Sequence, residues 1–334
     1  MKTVLILGAG KDQVPAIKKA KKIGYKVISC DLNKNSEGKK ISDIFWNISN
    51  TDLIKLKKKI INYNQNNYKI DGVFVIGTDI PNIASKLSYL FKYKHYKNFA
   101  AKNAKDKILM KRLFRKFKIP TPNFKQINKF SDLINFLKIN KKNSLIKPSD
   151  RSGSRGVFFI EKNQNNILIK NLYNKTKSIS DKDYIIAEEF LTGKQISTET
   201  IISNKKIKTI AFADRNYEHL KAFKPRIIEN GGTMPSTLSL NYKNKIDKVL
   251  QKVVKALKIT NGTIKGDIVI HKNKIYVIEV AYRLSGGDFS ESLIPLNTGI
   301  DFIGTSIKQC VGDKIILNDI KILNKVYVLN RYFF

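Results

Sequence analysis

Two carboxylates, Asp267 and Glu279, have the type and spacing to do chemistry. They lie in β-rich runs on either side of Lys272-Asn273-Lys274, a polar turn whose Asn tolerates a left-handed backbone. A hairpin symmetric about Asn273 sets Asp267 opposite Glu279. Facing cross-strand side chains stand about 5 Å apart and like charges there repel, so the pair requires a cation between them. The period of two then carries Arg283 onto the Glu279 face. A hard divalent cation held by two carboxylates, with a guanidinium beside it, is equipment for handling phosphate. A half-buried hairpin with solvent-facing acids would carry the same residues, so the phosphate contacts must come from elsewhere in the chain.

The best source is the stretch Pro148-Ser149-Asp150-Arg151-Ser152-Gly153-Ser154-Arg155-Gly156, preceded by Lys147. Between two strands, its glycines, serines and arginines offer exposed N–H groups, hydroxyls and positive charge to polyphosphate oxygens. It is not a Walker A loop, because no Gly-Lys-Ser/Thr leads into a helix; an ordinary hairpin loop is the competing reading. A basic helix over 103–117 contributes Lys107 and Lys111. The turn Gly8-Ala9-Gly10 resembles a dinucleotide fingerprint but has Gln13 in place of its third glycine, which weakens a nicotinamide reading. Such a turn opening onto a helix also suits a carboxylate or phosphate.

The elements that position these residues follow from apolar patterning. Residues 3–7 read as a parallel strand covered on both faces, followed by a helix to Ile23, a strand over 26–30, a helix over 51–62 and a strand over 71–76. This alternation implies a small doubly wound sheet. A boundary falls at 103/104. Beyond it we expect a helix over 131–139 and strands over 144–147, 157–160 and 184–190. Strand 195–203 pairs with 207–214 through 204–206, and helices over 242–257 and 300–311 precede a final strand over 325–332. The polar segments 214–217 and 229–232, at strand ends, either touch substrate or simply turn the chain.

Composition bounds the function. The 334 residues suffice for two or three cored domains, and 42% hydrophobic with 27% charged is usual for a folded protein. No apolar run approaches the roughly 20 residues of a membrane span, and the apolar part of the amino terminus is too short for a signal peptide, so a cytoplasmic, membrane-free protein is expected. Cys30 and Cys310, with His95, His219 and His271 far apart, give no metal-site spacing. The net charge of +36 comes from lysines spread along most helices, with no nucleic-acid motif, so we expect no nucleic-acid partner. The positive field still attracts small anions.

Taken in order, these features resemble the ATP-grasp superfamily of carboxylate–amine ligases, over nearly the whole chain. The residues carrying the resemblance are Asp106-Lys107 opening a helix, Lys147-Pro148 with its Gly/Ser loop, Glu188-Glu189-Phe190-Leu191, and Asp267 and Glu279 twelve residues apart with Arg283. The segments Gly153-Ser154-Arg155-Gly156-Val157, Ala213-Asp214-Arg215-Asn216-Tyr217 and Arg283-Leu284-Ser285-Gly286-Gly287 look most like the carbamoyl-phosphate-synthetase-like and L-amino-acid-ligase-like branch. The resemblance implies an α/β protein: a small doubly wound, Rossmann-like pre-ATP-grasp domain (1–103), then an ATP-grasp domain (104–334) with a lid-like part over about 120–190 and a metal-binding part over about 191–334.

It further implies ATP between two subdomains, with Lys107 and Lys147 on phosphates and the loop bearing Ser152, Gly153, Ser154 and Gly156 closing over the triphosphate. The Glu188, Glu189 and Leu191 strand would meet adenine through its backbone, and Gln195 would stand where relatives carry a ribose-binding Glu. Asp267 and Glu279 would hold Mg²⁺, with Mn²⁺ as a substitute, and Arg283 would act with Lys147 in catalysis by steadying the transferring phosphoryl group. Relatives usually read Glu-x-Asn-x-Arg where this chain has Ala281, which removes one oxygen ligand and puts a second metal ion in doubt. The implied reaction activates a carboxylate as an acyl-phosphate and joins it to an amine, releasing ADP and phosphate. Bicarbonate or formate as the acid, or a nucleotide-binding protein with weak catalysis, would use the same ATP residues. The substrates are small molecules, selected by the glycine turn, Thr78-Asp79, Glu199 and 215–217; the resemblance also admits a homodimer.

Overall fold

The computed structural model describes every residue except Asn67, Gly287, Lys325 and Phe334. Strand β1 (Thr3–Leu7), helix α1 (Val14–Lys22), β2 (Lys26–Cys30), β3 (Ile44–Trp46), α2 (Leu53–Gln65) and β4 (Gly72–Phe74) build a parallel sheet in the order β3-β2-β1-β4. All five β1 side chains are buried. Leu5 and Leu7 pack with Leu56 and Ile60 of α2, while Val4 and Ile6 pack with Ala16, Ile17 and Ala20 of α1. Coverage on both faces accounts for the unbroken apolar run.

Helix α3 (Pro81–Leu90) leads to α4 (Asn98–Lys105) and α5 (Lys107–Lys116). The single helix expected over 103–117 is therefore broken. Asp106 sits between α4 and α5 in an extended conformation (φ −99°, ψ 115°), and its carboxylate accepts from the Ile108 and Leu109 amides at 2.8 and 3.2 Å. A short acid able to cap the next helix competes with the backbone bonds of the preceding one.

A second, antiparallel sheet has the order β5-β8-β6-β7. It comprises β5 (Phe124–Ile127), β6 (Ser144–Pro148), β7 (Phe158–Ile160) and β8 (Ile185–Glu189), backed by α6 (Phe130–Asn140) and α7 (Asn166–Ile179). The third sheet is also antiparallel, in the order β13-β12-β9-β10-β11-β14. Its strands are β9 (Lys194–Ser203), β10 (Lys206–Asn216), β11 (Gly231–Met234), β12 (Gly262–His271), β13 (Lys274–Ala281) and β14 (Val328–Arg331). Helix α8 (Leu240–Ala256) buries Ile246, Leu250, Val253 and Val254 in a core shared with β9, β12 and β13. The carboxy-terminal strand is thus shorter than expected, and Lys325, its expected first residue, lies outside the described residues.

The carboxy-terminal half is tied to the first sheet at several points. Just beyond β13, Leu284 bridges Ile76, which follows β4. After the short α9 (Ile294–Thr298), helix α10 (Phe302–Cys310) packs on β4, where the Cys310 thiol donates to the Val73 carbonyl at 2.9 Å. A Cβ at Gly72 would stand inside van der Waals contact of the Cys310 carbonyl, so this approach requires glycine. Gly72→Ala is expected to destabilise the fold by about 1–3 kcal/mol, the range for overpacking a filled core, read as a lowered midpoint of thermal or urea unfolding; an unchanged midpoint would show the α10 contact to be slack.

Candidate active site

Asp267 and Glu279 do face each other across β12 and β13, but not by the symmetric route. The turn contains only Lys272 and Asn273, both left-handed (φ 47° and 62°), as a two-residue hairpin of mirror-turn type requires. That turn pairs His271 with Lys274 and Ile268 with Val277; a bulge then leaves Ile278 unmatched, and Asp267 meets Glu279. The edge of β13 beside the bulge is covered by the linker from α5. There the Val277 amide donates to the Pro120 carbonyl at 2.8 Å, and the Thr121 hydroxyl donates to the Val277 carbonyl at 2.8 Å.

The register lays out one face of the third sheet as rows. Ser197, Asp267 and Glu279 form one row across β9, β12 and β13, and Glu199, Lys265 and Ala281 form the next. Cations cover the acids. Lys265 Nζ lies 2.9 Å from Asp267 Oδ1, Arg215 lies 3.1 Å from the same oxygen, and Lys107 lies 3.4 Å from Glu279. Burial works to raise the Glu279 pKa, but the charges of Lys107, Lys147, Lys265 and Arg215 overcome it and pull the value down to about 2. Asp267 Oδ1, though buried, accepts no hydrogen bond of good geometry. Two facing carboxylates fit one hard divalent cation, toward which both present oxygens. Among the described residues, no group of three His, Cys, Asp or Glu side chains is assembled to hold a metal.

Beside this face lies a buried ion triad. Glu188 is only 1% exposed; it pairs with Lys147 and, at 3.0 Å, with Lys111, which is itself 1% exposed and bonded to the Thr121 hydroxyl at 3.0 Å. Desolvation alone would raise the Glu188 pKa, yet the two ammonium groups hold it below the usual range. The sequence places Lys111 on the basic helix beside Lys107 but gives it no role of its own. The available signal was its spacing, four residues after Lys107 on the face of α5 that also buries Met110 and Phe114. The Glu189 side chain instead pairs with Lys142, and the Glu189 and Phe190 amides are taken by the Asn123 and Asn143 carbonyls.

The Gly/Ser loop is anchored at its base. Lys107 donates through its amide to the Ser149 carbonyl at 2.9 Å and through Nζ to the Arg151 carbonyl at 2.6 Å, while Asp150 holds the Ser180 hydroxyl and the Asp181 amide. Its tip, Gly153 to Arg155, is exposed, and Gly153, Ser154 and Gly156 are left-handed. A cleft of about 410 Å³ opens between the exit of β8 and the third sheet, lined by Leu191, Lys194, Gln195, Arg215 and Tyr217 among others. Its volume falls in the roughly 300–1,000 Å³ range of small-molecule sites.

Arg283 lies two residues beyond the end of β13 at Ala281; its Nε is 3.5 Å from Asp79 in the loop after β4, and its charge also acts on Glu199. Nearby, the fully buried Glu199 accepts from the Ser285 amide at 3.2 Å and leaves Oε2 without a partner. Burial raises its pKa to about 7, against the opposing effects of Ser285, Lys265 and Arg283. A small cavity of about 30 Å³ adjoins, lined by Lys11, Asp12, Ile76, Ser285, Gly286, Asp288 and Glu291; Gly287 lies outside the described residues. The glycine turn is already filled. The Gln13 side chain accepts from the Gly10 amide at 3.1 Å and donates to the Ile76 carbonyl at 2.8 Å, while Asp31 takes the Ala9 amide. With those donors used internally, the turn offers no phosphate cradle.

The triad yields a stability prediction. Glu188→Gln leaves two buried ammonium groups uncompensated and should cost about 3–5 kcal/mol, and adding Lys111→Met should recover part of that loss. Because the folded pKa of Glu188 is depressed, its contribution is fully present above the unfolded glutamate value of 4.5 and is lost as pH falls through the folded value. Urea unfolding of wild type and both variants as a function of pH measures this; a Glu188→Gln protein of wild-type stability would contradict it.

Comparison with known proteins identifies relatives of the chain. The ATP-grasp domain family matches residues 104–287. A D-alanine--D-alanine ligase from Pelagibacter ubique is 27% identical over 220 residues, covering 63% of this chain and 68% of the relative. A phosphoribosylamine--glycine ligase from Caldanaerobacter subterraneus subsp. tengcongensis is 25% identical over 316 residues, covering 89% and 72% respectively. In fold, the chain is similar to the crystal structure of an L-amino acid ligase from Bacillus licheniformis, with a TM-score of 0.75 at 18% identity over 93% of this chain and 74% of that one. The chain belongs to the ATP-grasp family of ATP-dependent ligases.

Proposed function

We propose that this enzyme activates a carboxylate with ATP and joins it to an amine. The observation carrying this reading is the single polar face of the third sheet. It runs from the 410 Å³ cleft, through the Asp267–Glu279 row, to Glu199 and the cavity against the first sheet. A nucleotide laid along it would put adenine and ribose by Leu191 and Gln195 and its phosphates toward Lys107, Lys147, Arg215 and the loop with Ser152, Gly153, Ser154 and Gly156. Asp267 and Glu279 would hold Mg²⁺, which supplies charge neutralisation to triphosphate oxygens. Mn²⁺ would serve in its place, since both are hard, oxygen-binding dications.

In the first step a carboxylate oxygen attacks the γ-phosphorus in line and the bond to the β–γ bridging oxygen breaks, giving an acyl-phosphate and ADP. Lysine and arginine charge disperses the charge that develops, with positioning as the main source of rate; Arg283, moored by Asp79, would steady the phosphoryl group. In the second step the amine nitrogen attacks the acyl carbon, inorganic phosphate leaves, and the nitrogen loses a proton. Glu199 is suited to accept that proton, having a pKa near neutrality and a free buried oxygen. The amine enters beside Asp12, Asp288 and Glu291, where burial and the neighbouring acids raise the Glu291 pKa. An ammonium group entering there relieves that crowding; it gives up one proton to these carboxylates before it attacks, and the second, released as the amide forms, passes to Glu199.

ADP release that requires both an acid and an amine, with product mass from a screen of amino acids, tests the proposal; AMP formation or turnover independent of either substrate would refute it. Asp267→Asn and Glu279→Gln should each lower kcat at least about 10²-fold, the usual scale for removing one preorganised electrostatic group. Glu199→Gln should retain ATP binding and lose about 10²–10⁴-fold in ligation. In wild type, kcat/KM should rise with pH through about 7 as Glu199 ionises, and Glu199→Gln should lack this limb.

A further inference from the structure

We infer that Lys265 is a resident cation filling the position of a second metal ion, so that this enzyme takes up its nucleotide with one divalent ion and one protein ammonium. The inference rests on the proposed binding of a divalent cation by Asp267 and Glu279.

Two adjoining rows of the face carry three carboxylates: Asp267, Glu279 and Glu199. A cation can bridge two of them between Asp267 and Glu279, and another two between Asp267 and Glu199. The first place is flanked by Lys107 on Glu279 and by Arg215 on Asp267. Lys265 stands on the side of the second, opposite Glu199 in register; it reaches back to both Asp267 oxygens, at 2.9 and 3.1 Å, and its charge acts on Glu199 from outside ion-pair distance. On its other side Lys265 faces Ala281, whose methyl group offers no oxygen. A second dication there would meet a fixed positive charge at contact distance and find one ligand fewer. Arg215, 3.1 Å from Asp267 Oδ1, adds to that repulsion. The charges are already matched, with Lys107 on Glu279, Lys265 on Asp267, and Arg215 shared between Asp267 and Glu229. A single dication arriving with the nucleotide phosphates preserves that match better than two.

Lys265 shares its strand face with Asp267 by the period of two, so it cannot turn to the opposite side of the sheet without breaking the β9–β12–β13 register. Its ammonium is therefore a fixed part of the phosphate site, on the side toward Glu199 and the first sheet. It would act there as a point charge needing no dissociable ion.

The test counts metal directly. Free Mn²⁺ is measured by electron paramagnetic resonance during titration of the full chain in the presence of saturating β,γ-imido-ATP. Wild type and Lys265→Arg should bind one Mn²⁺ per chain in the ternary complex. Lys265→Gln, which replaces the charge with an amide oxygen, should bind two. Two ions on wild type or on Lys265→Arg, or one on Lys265→Gln, would overturn the inference while leaving the metal assignment standing. No bound Mn²⁺ on wild type with the analogue in place would instead show that Asp267 and Glu279 are not the metal site. If Lys265→Gln does not fold, as thermal unfolding would reveal, the wild-type and Lys265→Arg counts still decide.

Discussion

Like charges on neighbouring strands of one sheet face must be covered by cations, and the site follows from meeting that constraint at Asp267 and Glu279. Lys107, at the start of α5, answers Glu279, and its backbone and ammonium also hold the Ser149 and Arg151 carbonyls at the base of the Gly/Ser loop. The linker after α5 lies on the bulged edge of β13, where Thr121 accepts from Lys111 and donates to Val277. Lys111 in turn pairs with Glu188, as does Lys147. The acids of one hairpin are thereby connected to both the second sheet and the loop it carries.

Positive charge serves two different ends in this chain. Most of the positive charge lies outside the buried core, where an ion pair contributes little. The lysines at 107, 111 and 147 are buried, and their desolvation is offset only because Glu188 and Glu279 lie within ion-pair distance. Such groups are expensive to bury and difficult to rearrange, so they fix the spacing of the site. Farther along the same face, Glu199 has no comparable cation in direct contact and is left near neutrality, the condition for moving a proton.

The first sheet acts as a wall for that end of the face. Ile76 and Leu284 join it to the end of the metal hairpin, and a Cβ on Gly286 would lie 2.9 Å from Gly77 Cα, so the two segments pass backbone to backbone. Asp79 and Arg283 meet across this seam. Helix α10 returns from the carboxy-terminal end to cover β4, so the two ends of the chain share one core.

By itself, the sequence determined which residue types carry the chemistry and in what order. The parallel character of β1, the β9–β10 pairing and the facing of Asp267 with Glu279 could all be read from local period and turn chemistry, because those signals act over a few residues. The folded chain decided what local periods cannot carry. The bulge at Ile278 corrected the register of a hairpin whose turn is shorter than it looked. Beyond the end of β13 at Ala281, Arg283 found Asp79, in a loop more than 200 residues earlier in the chain. Gln13 closed a glycine turn that read as open, and Lys111 and Lys265 emerged as partners of acids 77 and 2 residues away in sequence. Which cation answers which carboxylate depends on side chains brought together by sheet register and helix docking, through electrostatics that act over distance in space and not along the chain.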